Sequence, residues 1–314
     1  MILLLQYTLI FASVLLLVAL GGCFSERSGV VNIGLEGIMV IGALGGALVM
    51  KFLPVSVGAP TMILTTILVS ALSGMVFSLL LAVAAIHFRA DQTITGTAMN
   101  MLATAAATVI VKAMNTAASD GHNVSSEIPF AQAREMFIVR FGNFEFSWFM
   151  VVAVLALVVS FVLLYKTRFG LRLMACGEHP QAADSVGINV YKMRYAGVLI
   201  SGILGGIGGI VYITAGVSLW KFETGVAGFG FLALAVMIFG AWHPIKIALA
   251  ALLFGFCRAL GNVYSGFDFL LSMNIPAVVY NMLPYLISLV VLAFTSKKSR
   301  APKAEGIPYD KGTR

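Results

Sequence analysis

Nine oily stretches, at residues 3–22, 34–50, 61–86, 94–113, 147–165, 195–216, 226–241, 246–263 and 276–295, leave this chain few folds to choose from. A helix needs roughly 17–25 mostly apolar residues to cross a bilayer, and these stretches reach or approach that length. None alternates strictly between apolar and polar positions as barrel strands do, so helices are expected. Charged residues make up 11% of the chain and hydrophobic ones 60%, with a mean hydropathy of +0.99. A soluble domain carries about 25% charged residues. The backbone polar groups of such a chain must be satisfied internally, because lipid cannot solvate them. The expected fold is all-α, a polytopic integral membrane helical bundle of nine stretches, some broken or re-entrant, over residues 1–295, with a basic tail at 296–314.

Several chemistries lack a foothold. Cys23, Cys176 and Cys257 lie far apart with no CxxC, and read as packing residues rather than metal or redox ligands. His87, His122, His179 and His243 show no HExxH spacing, so no metal or catalytic residue is assigned. No GxxxxGK[ST] phosphate loop occurs, so this chain does not hydrolyse ATP by that route. Leu20–Gly21–Gly22–Cys23 loosely resembles a lipoprotein cleavage site. A signal peptide wants a basic start, however, and the first basic residue is Arg27.

Short cytoplasmic loops gather Lys and Arg. Nine spans put the two termini on opposite sides. Placing the C-terminus inside puts fourteen of the 20 Lys and Arg there, including Arg27, Arg89, Lys166, Lys192, Lys297, Lys298, Arg300 and Arg314. Lys51, Lys112, Arg134, Arg140, Lys221 and Arg258 then fall outside or near it. The expected topology has an external N-terminus, an external loop at 114–146 forming a small cap, and a cytoplasmic segment at 166–194. The tail from Ser296 reads as mobile, with its positive charge available to anionic headgroups. The net charge of +7 reflects orientation, not nucleic-acid binding.

The glycine pairs Gly42/Gly46, Gly202/Gly206 and Gly205/Gly209 sit four apart, a spacing that lets helix backbones approach closely in lipid. Two polar segments read as broken helices: SERSGVVNIGLEG at Ser25–Gly37 and RADQTITGTAMN at Arg89–Asn100. Irregular backbone at membrane depth is tolerated where it lines a cavity, as at transporter substrate sites. Glu36 is the best intramembrane carboxylate and a functional candidate by default. The alternative is an interfacial carboxylate paired with Arg27 or Arg89. Asn100 is a second candidate, or a hydrogen bond between helices.

The central stretch LRLMACGEHPQAADSVGI can form a short helix outside the lipid. Pro180 suits a first turn, Ala182, Ala183 and Asp184 continue it, and Gly187 ends it. Its small alanines, Ala183 among them, would face the cytoplasm and admit a partner closely. A solvated loop that only sets orientation is the alternative. The stretch resembles the cytoplasmic signature of ABC importer permeases in the family of ribose-type and branched-chain amino acid permeases, G-x-N-x-x-A-A-x-x-S-G-I-x-V. The matching residues are Gly177, Ala182, Ala183, Gly187, Ile188 and Val190, with departures at His179 and Val186 that resemble the simple-sugar and nucleoside branch. ERSGVVNIGLEG (Glu26–Gly37), HFRADQTITG (His87–Gly96) and GFGFLALAVMIFGAWHP (Gly228–Pro244) resemble that branch as well.

The resemblance implies a permease half in the bacterial inner membrane that pairs with a second, related permease subunit. It implies a cytoplasmic ABC ATPase that binds ATP and Mg²⁺, so that this chain needs no cofactor, and an extracytoplasmic solute-binding protein. It places Glu178, His179, Pro180, Ala182, Ala183, Asp184, Gly187 and Ile188 in the ATPase contact. It places Asn32, Glu36, Thr93 and Thr97 near the solute pathway. A nucleoside is the implied solute, with a simple sugar such as ribose as the alternative. An ion-coupled secondary transporter would need a relay of buried acids, and beyond Glu36 only Asp91 and Asp268, near span ends, are on offer.

Overall fold

A computed structural model of the chain describes residues 1–142, 144–214, 219–267, 272, 276–295 and 301–312, with backbone alone for 131, 132, 141, 277, 281 and 291–295. In chain order the helices are α1 (Ile2–Arg27), α2 (Leu35–Phe52), α3 (Ala59–Ala82), α4 (Gln92–Ala118), α5 (Ala131–Glu135) and α6 (Trp148–Lys166). Then come α7 (Arg168–Glu178), α8 (Pro180–Ser185), α9 (Val190–Thr214), α10 (Phe229–Phe239), α11 (Pro244–Val263) and α12 (Ala277–Thr295). Among the described residues seven helices are long and apolar enough to cross a membrane: α1, α2, α3 with its continuation to His87, α4, α6, α9 and α11.

The expectation of a full span at 226–241 is corrected. Its helix, α10, has only 11 residues, a rise of about 16 Å against a hydrocarbon core of about 30 Å. Ala227 and Gly228 hold left-handed backbone with φ of 52° and 78°, so helix begins only at Phe229. The broken segment expected at Ser25–Gly37 is present, since Ser28–Gly34 is non-helical. The one expected at Arg89–Asn100 is confined to its start, where Arg89–Asp91 is non-helical and Arg89 has a φ of 53°. Asp91 accepts from the Ile94 N–H at 2.9 Å, and α4 runs unbroken from Gln92. An N-cap carboxylate starts a helix where sequence polarity alone had suggested a break.

Three helices form the centre, α1, α2 and α9, and glycine seams join α9 to α2 and to the neighbouring α3. A Cβ on Gly42 would strike the Gly206 backbone, one on Gly74 the Gly202 carbonyl, and one on Gly209 the Met39 carbonyl. Close backbone approach replaces the hydrophobic effect, which lipid removes as a driving force between helices. The outer faces of α3, α4 and α6 are apolar and exposed, at Leu64, Leu68, Val76, Ile94, Met101, Val109, Val154 and Val158. Such surface suits lipid or another apolar chain, not water.

The two ends of the bundle differ. At one, here the basic end, lie the α1 terminus, Arg89, α7 and α8, and the Trp242 turn, where Arg27 donates to the Trp242 carbonyl at 3.1 and 3.2 Å. At the other, the loop end, two ribbons form a cap. β1 (Glu127–Pro129) pairs antiparallel with β4 (Leu219–Lys221), Ile128 opposite Trp220. β2 (Ile138–Phe141) pairs with β3 (Phe144–Ser147). The loop expected at 114–146 therefore starts late, because α4 continues to Ala118. Asn115 within α4 ties the cap down, donating to the Ser125 and Glu127 carbonyls at 2.9 Å each.

The expectation of a free tail is also corrected. Pro302, Ala304 and Tyr309 are buried against the basic end. Lys297, Lys298, Arg300 and Arg314 lie outside the described residues, as does Asp268.

Candidate solute pathway and docking helix

Two helices start inside the bundle without a side chain of their own to cap them. The residue before α2 is Gly34 and the residue before α10 is Gly228. Neither can accept from the first N–H groups of its helix, which in lipid must find partners. Other helices supply them. Asn100 of α4 accepts the Gly37 N–H at 2.8 Å and donates to the Ile33 carbonyl at 3.0 Å, bracketing the start of α2. Glu36 of α2 accepts the Gly228 N–H at 2.8 Å on one oxygen and the Gly230 N–H at 2.7 Å on the other. A carboxylate at a helix N-terminus also meets the positive end of its dipole. The result is a relay: α4 caps α2, and α2 caps α10.

Small residues make the junction possible. A Cβ on Gly96 would lie 2.8 Å from the Gly34 nitrogen, and one on Gly37 would lie 2.8 Å from the Met99 carbonyl. Gly230 leaves no room beside the Glu36 backbone, where a Cβ would sit 2.5 Å away.

Among the residues singled out for the pathway, Thr93, Thr97 and Asn100 share one stripe of α4, which continues to Thr104. Thr93 and Thr97 are exposed in the single chain, while Asn100 and Glu36 are half-buried where the stripe meets α2. Glu36 bonds neither Arg27 nor Arg89. Those guanidiniums go to the Trp242 carbonyl and to Asp310. Asn32 stands apart, fully buried, and donates to Ser201 of α9 at 2.8 Å. It joins helices and does not line the stripe.

The central segment forms two helices, not one. Thr167 caps α7 by accepting the Gly170 N–H. α8 begins at Pro180 and is closed by Gly187, whose φ is +84°, with bonds from Gly187 to Asp184 and from Ile188 to Ala183 at 2.9 and 3.1 Å. Its faces divide sharply. His179, Gln181, Ala182, Ser185, Val186 and Gly187 are exposed; Glu178, Asp184 and Ile188 are intermediate; Pro180 and Ala183 are buried. The expectation that Ala183 faces the cytoplasm is overturned. At 4% exposure it packs with Cys176, Val190 and Tyr309. Burial there pushes the Cys176 thiol up to about 11. Ala182 and Val186 present the open face instead.

Two features escaped the sequence reading. Arg258, assigned to a span end, sits over the Phe229 ring at 5.5 Å, beside the start of α10. Its signal was a cation well inside an otherwise apolar helix. Arg194 is 1% exposed and donates to the Ile307 carbonyl at 2.9 Å. That contact has no sequence signal, because the two residues lie 113 positions apart.

Residues 4–293 match the family described as branched-chain amino acid transport system, permease component. The guanosine ABC transporter permease protein NupQ of Bacillus subtilis is 44% identical over 98% of this chain and 96% of its own length. The nucleoside ABC transporter permease protein NupC of Lactococcus lactis is 41% identical over 96% and 95%. NupB of the same organism, also a nucleoside ABC transporter permease protein, is 24% identical over 76% of this chain and 67% of its own. No solved structure matches.

Proposed function

The chain belongs to the family of branched-chain amino acid transport system permease components, a multi-pass membrane transport subunit rather than an enzyme, and on that premise we propose that it is one permease half of an ATP-driven importer of nucleosides. The observation that carries the solute class is whole-length likeness to a guanosine permease. The geometry is compatible with it. The α4 stripe of Thr93, Thr97 and Asn100 offers hydroxyl and amide groups without net charge, suited to a neutral polar solute.

In this reading the basic end faces the cytoplasm, following the distribution of Lys and Arg, and the cap at the loop end faces a solute-binding protein. The exposed face of α8 docks into a separate ABC ATPase, which holds ATP and Mg²⁺. The partner half is a distinct related permease, as the coexistence of NupB and NupC in one organism suggests. The Thr93–Thr97–Asn100 stripe with Glu36 borders the pathway. Closure of the ATPase moves α7 and α8, and rigid helices carry that motion inward.

Uptake of labelled guanosine, uridine and ribose in cells with and without the gene tests this, each repeated after ATP depletion with ion gradients clamped. Gene-dependent nucleoside uptake that collapses with ATP is expected. Uptake that persists without ATP and follows an ion gradient overturns the ATPase partner. Uptake of ribose alone moves the solute to the sugars.

A further inference from the structure

The C-terminal segment Pro302–Asp310 lies across the basic end and touches three elements that the sequence keeps far apart. The Ala304 N–H donates to the Gly177 carbonyl of α7 at 2.8 Å. The Gly306 N–H donates to the Gly29 carbonyl, in the turn between α1 and the extended run to Gly34, at 3.2 Å. Asp310 accepts from Nη1 and Nη2 of Arg89, at 2.9 and 3.0 Å, on the link that leads into α4. Tyr309, 4% exposed, packs edge-on against Tyr191 at 5.4 Å and closes the cluster of Cys176, Ala183 and Val190 beneath α8.

These anchors form one mechanical set. Gly177 belongs to the segment that docks the ATPase. Gly29 heads the run that ends at Glu36. Arg89 heads the helix that carries the Thr93–Asn100 stripe. We propose that Pro302–Asp310 is a transmission strap that ties the docking helices α7 and α8 to the two segments leading to the pathway. What it transmits rests on the permease reading above.

The docked strap also contains its own opposition, so it has a second arrangement to move to. Arg194 is buried with one strap carbonyl as its acceptor, and its Nε and Nη2 make no hydrogen bond among the described residues. Burial in the docked strap raises the Glu305 carboxyl above its ordinary value, so docking disfavours its charged form. Release of the strap hydrates both sites. Coupling needs such an element, with two discrete arrangements that both sites bias.

The test compares the full chain, co-expressed with its transporter partners, with a chain ending at Ala301 and with the charge reversals Arg89→Glu, Asp310→Arg and their combination. Cys176 is the structural reporter, in a background where Cys23 and Cys257 are serine. Truncation should keep the protein in the membrane, raise the Cys176 maleimide labelling rate about tenfold or more as the cluster opens, and lower guanosine uptake while ATP hydrolysis continues. Each single reversal should slow uptake by about two- to fivefold, the scale of an exposed ion pair, and the double reversal should restore it. Cys176 labelling and uptake unchanged by truncation overturn the strap. If the truncated chain fails to accumulate, the reversals decide: single variants with full uptake, or a double variant as impaired as the singles, overturn it. If the intact chain moves no nucleoside at all, the permease reading fails separately, and Cys176 protection still reports whether the strap docks.

Discussion

Glu36 and Asn100 do their work through backbone N–H groups that two glycine-started helices leave open. A helix N-terminus stripped of its cap loses about 0.5–2 kcal/mol, and bonds to a charged acceptor are worth about 1.5–3 kcal/mol. Glu36→Gln keeps one acceptor oxygen but turns an amide N–H₂ toward the other donor. It should lower the thermal midpoint in detergent and slow uptake together. A full-midpoint protein with lost uptake would instead make Glu36 a group that meets solute directly. Asn100→Ala frees the Gly37 N–H and the Ile33 carbonyl at once. A loss of about 1–3 kcal/mol is expected from leaving such groups unmet, read by denaturation, whereas Thr97→Ala, on the exposed part of the same stripe, should leave stability unchanged. Glu305 gives a pH dependence. Burial pushes its carboxyl above the ordinary carboxylate range, against a smaller opposing effect of Glu26. The docked strap therefore favours the protonated carboxyl more than the released strap does. This part of its stability is fully present below the ordinary carboxylate value and is lost as pH rises through the raised one. Glu305→Gln should remove that dependence and keep Cys176 protected at higher pH.

At the scale of elements, α8 shows why a helix must be seen in three dimensions before its face is chosen. Ala182 and Ala183 are chemically identical and adjacent, yet one is exposed and the other buried on Cys176 and Tyr309. Ala182→Arg should leave abundance normal and block ATPase docking, measured by co-purification. Ala183→Arg should instead lower abundance, because a buried cation with no acid partner is costly. Equal abundance of the two variants would count against the division of faces. The glycine seam makes a parallel case. Gly206 meets Gly42, Gly74 and the Ser70 carbonyl, so Gly206→Leu would force three helices apart. No folded protein is expected in the membrane fraction, whereas Gly187→Ala on the open end of α8 should cost only the strain of left-handed backbone, about 1 kcal/mol.

For the molecule as a whole, the membrane bundle, seven of its spans and the short helix at Pro180–Ser185 were legible before any coordinates. Apolar length, and the pairing of a first-turn proline with a closing glycine, are local signals that lipid and helix geometry oblige every such chain to show. The packing role of Gly42, Gly206 and Gly209 was legible for the same reason. The half-length of α10, the trans-capping relay through Asn100 and Glu36, the inward face of Ala183 and the docking of the tail were not. Each depends on contacts between residues far apart in the chain: Glu36 with Gly228, Asn100 with Gly37, Arg194 with Ile307. The tail is the clearest instance. Its composition, basic and polar with Pro and Gly, describes a segment unable to bury itself, and that much is true. What composition could not contain is the surface already waiting at the basic end, with open carbonyls at Gly29 and Gly177 and a guanidinium at Arg89. The sequence alone determined that this protein lives in a membrane as helices, since lipid leaves the backbone no other solution. Tertiary structure alone decided which polar groups meet inside it, because a hydrogen bond across the bundle depends on where two helices cross and not on what either one reads along its length.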